Sequence, residues 1–109
     1  MDALERIKEQ VENHPVIIYM KGTPQLPSCG FSMRAAQALQ STGYEFAYVN
    51  ILEDPEIMEA LPQFADWPTF PQIYINGELI GGCDITVEMA QTGELGSMVE
   101  QALAGQSQA

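Results

Sequence analysis

The chain has 109 residues, 46% of them hydrophobic and 17% charged, a balance that suits one soluble domain with a single core. Four basic against fifteen acidic residues give a formal charge of −11, which repels phosphate backbones and anionic lipid and argues against nucleic acid as a partner. No apolar run approaches the roughly 20 residues of a membrane span. With two cysteines and one histidine, neither a disulfide scaffold nor a one-chain Cys/His zinc site can be assembled.

The opening stretch MDALERIKEQ is acidic and amphipathic from its start, with neither a secretory apolar region nor an Arg-rich transit peptide, so the expected location is cytoplasmic or a mature organellar domain. Asp2 and Glu5 have capping-box spacing, and Leu4, Ile7 and Val11 recur at helical intervals, which predicts a helix over Ala3 to Asn13. Glu5, Glu9 and Glu12 read as its solvated face and His14 as a helix-end residue. VIIYM (16–20) is a short β-branched apolar run, hence a buried strand, and Lys21 to Ser28 form a loop with two prolines. Ser28 stands where an N-cap belongs. A helix is then expected from Cys29 to about Ser41, with Phe31, Ala35, Ala38 and Leu39 on its inner side and a stop before Gly43.

FAYVN (46–50) is the next strand, so strand, helix and strand form a right-handed crossover with parallel strands. Asp54 caps a further helix with Pro55 at its first position, ending near Pro62. QIYI and ELIG flank Asn76-Gly77, a hairpin signal. Two short helices follow Gly82, with Gly93 between them, and residues 104–109 read as a frayed tail. These elements make residues 1–109 a single α/β domain, a four-stranded mixed sheet flanked by helices, of the thioredoxin kind.

The chemistry centres on Cys29, in KGTPQLPSCGFSMR. A thiol at the first turn of a helix meets the positive end of the helix dipole and free backbone N–H groups, and both favour thiolate. Lys21, at the end of the preceding strand, adds positive charge. A buried structural cysteine is the competing reading, outweighed because the loop and cap put Cys29 at the carboxyl edge of a strand, where open α/β sheets bind ligands. Cys83, after a Gly-Gly pair, stays open between a small packing residue and a sulfur with a role, and a Cys29–Cys83 disulfide is conceivable. By pattern alone Pro71 is an ordinary trans proline, and Trp67 a packing residue with a binding face as its lesser alternative.

MKGTPQLPSCGFS and WPTFPQIYINGELIGGCD, with the spacing between them, closely resemble the monothiol CGFS-type glutaredoxins, over about Asp2 to Leu103. The resemblance implies a thioredoxin fold and a glutathione site. Lys21 would face the glycyl carboxylate, Thr69 before a cis Pro71 would pair its backbone with the cysteinyl part, and Cys83 and Asp84 would hold the γ-glutamyl end. Cys29 would be the active thiol. One position departs from the pattern: Met58 stands where the family commonly has an arginine for the glycyl carboxylate, and Gln63 is the only obvious nearby substitute. A thioether cannot replace a bidentate guanidinium.

In a C-x-x-C protein the second thiol resolves a mixed disulfide, and Ser32, in that place here, cannot. A [2Fe–2S] cluster needs four ligands, and one exposed cysteine per chain supplies one of them. Two chains and two glutathione thiols make four. The family resemblance implies such a cluster, shared by Cys29 of two subunits in a homodimer, together with BolA-like partners and apo iron–sulfur acceptor proteins. The expected function is thus cluster binding and transfer in iron–sulfur biogenesis and iron homeostasis. The alternative is a glutathione-dependent thiol–disulfide oxidoreductase that removes glutathione from proteins.

Overall fold

The computed structural model describes residues 2–107, in the order α1 (Ala3–Asn13), β1 (Val16–Met20), α2 (Gly30–Gln40), β2 (Ala47–Asn50), α3 (Pro55–Phe64), β3 (Gln72–Ile75), β4 (Glu78–Gly81), α4 (Cys83–Thr92) and α5 (Glu94–Ser107). A 3₁₀ turn over Ile51–Glu53 joins β2 to α3. The sheet order is β2-β1-β3-β4. Strand β1 runs parallel to β2 and antiparallel to β3, and the β3–β4 hairpin closes the other edge. Asn76 and Gly77 both have positive φ, 57° and 83°, as its tight turn requires.

Alternation along β1 sends side chains to two cores. Val16, Ile18 and Met20 pack with Ala35, Leu39, Leu95 and Val99 beneath α2 and α5. Ile17 and Tyr19 pack with Ile7, Ile57, Leu61 and Tyr74 beneath α1 and α3. A strand covered on both faces must be apolar throughout, which is why VIIYM carries no alternation. Asp2 accepts a hydrogen bond from the Glu5 N–H at 2.9 Å and Asp54 one from the Ile57 N–H at 3.4 Å, so both expected caps form. Glu5, Glu9, Glu12 and His14 are exposed, as their solvated reading expects.

Several local expectations are corrected. Cys29 itself, not Ser28, is the N-cap of α2. The Ser28 N–H instead donates to the Lys21 carbonyl at 2.9 Å and closes the loop. Helix α3 runs through Pro62 to Phe64, because a proline near the end of a helix forfeits only one hydrogen bond and the Leu61 and Pro62 carbonyls find donors in Ala65 and Trp67. Leu4 and Phe31, expected on inner faces, are exposed. Residues 104–107, expected as a frayed tail, continue α5, and the expectation for 108 and 109 lies outside the described residues. No helix among the described residues is long and apolar enough to cross a membrane.

Candidate thiol site at the carboxyl edge of the sheet

The loop after β1 is held by its own hydrogen bonds. Gly22, at φ 90°, bridges to Pro27, and a Cβ there would lie 2.5 Å from the Leu26 carbonyl oxygen, so only glycine fits. Its N–H donates to Asn50 Oδ1 at 2.9 Å, which ties the loop to the end of β2. Thr23 and Leu26 exchange backbone hydrogen bonds. The chain is thereby delivered to Cys29 in extended geometry (φ −152°, ψ 137°), half-buried at the head of α2.

The Cys29 thiol is held below the ordinary range, most strongly by the Ser32 backbone N–H. The Phe31 N–H, the Lys21 charge and the Ser32 hydroxyl act in the same direction, while partial burial opposes them. This is the electrostatics of a helix N-terminus made specific to two N–H groups and one ammonium. Ser32 is fully buried, and its Oγ accepts a hydrogen bond from the Lys21 N–H at 3.0 Å. The residue in the resolving position therefore joins β1 to α2 and supports the neighbouring thiolate.

Cys83 opens α4 and is only 7% exposed. Burial pushes its thiol up, Arg34 opposes that shift, and the negative charges of Asp84 and Cys29 add to it. Both cysteines are free thiols, and the charge of Cys29 is felt at Cys83.

Beside them opens a cleft of about 440 Å³. Phe31 of α2 forms part of its wall, Trp67, Thr69, Phe70 and Pro71 form another, and Gly82, Cys83, Asp84 and Ile85 at the start of α4 complete it. The Phe70–Pro71 peptide is cis, unlike the trans form that pattern alone favoured. Four residues named from the sequence, Thr69, Pro71, Cys83 and Asp84, thus meet in one cleft, whereas Cys29 and Lys21 lie outside its lining. Phe31 (57% exposed) and Ile85 (44%) were missed as site residues, and for Trp67 (37%) a binding face was only the lesser reading. Their exposure is a tertiary property, and an aromatic or isoleucine at such positions reads as core from pattern alone.

Met58 is half-buried against the core beneath α1 and α3. Gln63 lines a shallow groove with Asp2, Leu4, Glu56 and Glu59 that shares no residue with the cleft. Arg6 is also committed elsewhere, paired with Asp54 and, at 3.8 Å, with Glu56.

A family model, Glutaredoxin, matches residues 16–80, from β1 to β4. The chain belongs to the glutaredoxin family. Glutaredoxin 4 of Escherichia coli (strain K12) is 52% identical over 101 residues, covering 93% of this chain and 88% of that one. Glutaredoxin 4 of Haemophilus influenzae (strain 86-028NP) is 53% identical over 104 residues, with 95% and 97% covered. Among solved structures, reduced poplar apo GrxS14 superposes with a TM-score of 0.78 at 46% identity, covering 92% of each chain. The holo form of glutaredoxin C1 from Populus tremula x tremuloides gives 0.82 at 31% identity, with 94% of this chain and 90% of that one covered. The thioredoxin fold of a glutaredoxin is therefore the fold of this chain, and with Ser32 following Cys29 at the fourth position it is of the monothiol kind.

Proposed function

We propose that this glutaredoxin binds a [2Fe–2S] cluster between two protomers, each giving Cys29 and one glutathione, and transfers it to apo iron–sulfur proteins. The observation that carries the reading is a single accessible, thiolate-favouring cysteine whose usual partner position is a buried serine already engaged with the backbone. The donor set fits a shared cluster and not a one-chain site: among the described residues no three His, Cys, Asp or Glu side chains gather as a metal site. Cys83 is an unsuitable second ligand, being buried and held toward the neutral thiol. The cluster supplies iron–thiolate bonds that exchange with acceptor thiolates.

In this reading glutathione occupies the cleft. A buckwheat glutaredoxin solved as its glutathione complex shares the fold at a TM-score of 0.80 and 25% identity, covering 92% of this chain and 89% of that one. The exposed Asp84 carboxylate would take the ligand's ammonium, and N–H groups at the head of α4 its γ-glutamyl carboxylate. Thr69, beside the cis Pro71, would pair its backbone with the cysteinyl unit, Cys83 would join Asp84 in holding the γ-glutamyl end, and Lys21 would face the glycyl carboxylate. With Met58 apolar and Gln63 in another groove, Lys21 carries this last interaction without a guanidinium. BolA-like proteins and apo acceptors are the proposed partners, a cytoplasmic setting the proposed location, and iron–sulfur biogenesis and iron homeostasis the proposed process.

Anaerobic reconstitution with iron, sulfide and glutathione tests this directly. The expected product is a coloured, glutathione-dependent dimer with one cluster per two chains, and Cys29→Ser stays colourless. A coloured Cys29→Ser protein would remove Cys29 as a ligand.

The lowered Cys29 thiol also supports a second reading, removal of glutathione from proteins. The Cys29 thiolate attacks the glutathione sulfur of a mixed disulfide and expels the protein thiolate. A second glutathione thiolate then attacks the Cys29–glutathione disulfide, returning Cys29 and leaving glutathione disulfide. Turnover in a glutathione-coupled assay, retained without iron, favours this reading.

A further inference from the structure

The geometry points to Gln72, at the start of β3, as a positioning residue that holds the cleft wall of Trp67 and Thr69 in its ligand-binding form. Gln72 is completely buried, yet it belongs to neither apolar core. Its Nε2 donates to the Trp67 carbonyl at 2.9 Å and to the Thr69 carbonyl at 3.3 Å. Its Oε1 accepts from the Tyr74 hydroxyl at 2.8 Å. Two carbonyls can only accept, so the amide nitrogen must face them and its oxygen must face the phenol.

The arrangement is a strut. A sheet strand, itself paired on both sides, reaches under the irregular segment before it and fixes two of its carbonyls. The same segment places the Trp67 ring and Thr69 in the cleft. Tyr74 is in turn clamped, 1% exposed and in edge contact with Tyr19 at 5.6 Å between ring centroids, and Tyr19 donates to Gln10 of α1 at 2.8 Å. Burial pushes the Tyr74 phenol up to about 12, so it remains a donor throughout the neutral range. An aliphatic residue here would remove both donors to those carbonyls and the buried acceptor of the Tyr74 hydroxyl. The strut thus connects the rigid core to the recognition wall, and loop residues gain the precision of a strand.

Part of this inference rests on the glutathione reading, so its test has one arm that does not. Trp67 is the chain's single tryptophan, and its fluorescence reports on the cleft wall without any ligand. The variants are Gln72→Glu and Tyr74→Phe. Gln72→Glu turns a carboxylate toward the two carbonyls at neutral pH and regains one donor when protonated. Tyr74→Phe removes only the hydroxyl and preserves the packing should Gln72→Glu fail to fold. In the folded variants, quenching of Trp67 by uncharged acrylamide should rise. Glutathione affinity, measured by calorimetry, should fall by about tenfold, with both effects partly reversed for Gln72→Glu as pH is lowered. Unchanged quenching in both folded variants overturns the strut. Altered quenching with unchanged glutathione affinity overturns the positioning role. A wild-type chain that binds no glutathione removes the glutathione reading and with it the ligand-binding role, and the quenching arm then decides only whether the strut holds the wall.

Discussion

At the scale of single residues, Cys29 and Cys83 show how position sets thiol chemistry. One stands at the head of α2 among N–H groups and a lysine, the other is buried at the head of α4. Alkylation with iodoacetamide across pH should therefore give a midpoint below the ordinary thiol range for Cys29 and above it for Cys83. Ser32→Ala should raise the Cys29 midpoint, because the hydroxyl contribution is lost while the backbone N–H remains. It should also cost about 1 kcal/mol in denaturant unfolding, since the part-buried Lys21 N–H loses its acceptor. The sign of the linkage follows: with its folded value depressed, Cys29 contributes stability above the unfolded thiol's titration, and that contribution fades as pH falls through the folded value.

At the scale of elements, the helix heads carry both stability and site shape. Asp54 caps α3 and pairs with Arg6 of α1, so one side chain closes a helix and joins two of them. Asp54→Ala should cost about 1–2 kcal/mol. Asp54→Asn, which keeps a capping oxygen but no charge, should recover most of that, because partly exposed ion pairs contribute about 0–1 kcal/mol. Gly82, at the head of α4, faces the cis-proline segment closely: a Cβ would lie 3.1 Å from the Pro71 carbonyl oxygen and 3.7 Å from Trp67 Nε1. Gly82→Ala should cost about 1 kcal/mol or more through overpacking. It should shift Trp67 fluorescence and weaken glutathione binding in calorimetry.

At the scale of the whole molecule, charge opposes self-association. Two chains of formal charge −11 repel each other, which a bridging ligand would offset and salt would screen. Raising salt from about 0.05 M to about 0.5 M shortens the screening length. It should lower the dissociation constant of the reconstituted dimer in sedimentation equilibrium, while the stability of the monomer fold changes less. A dimer that weakens with salt would mean that specific ion pairs, not net repulsion, govern the interface.

By itself the sequence determined the element order and the mixed sheet, because these follow from local periodicity, caps and turn chemistry. VIIYM, Asp54-Pro55 and Asn76-Gly77 each carry their own instruction. The resemblance to glutaredoxin motifs, not periodicity, named Thr69, Pro71, Cys83 and Asp84, which the fold brings together in one cleft. Tertiary structure alone decided which apolar residues stay in water, so Phe31 and Trp67 became cleft walls although their spacing suits a core. It also decided the partners of buried polar groups. Nothing near Ser32 or Gln72 in sequence announces that one bonds the Lys21 N–H across eleven positions and the other holds the carbonyls behind a binding wall. Burial and hydrogen-bond geometry arise when separate elements pack, and periodicity within one element does not contain them.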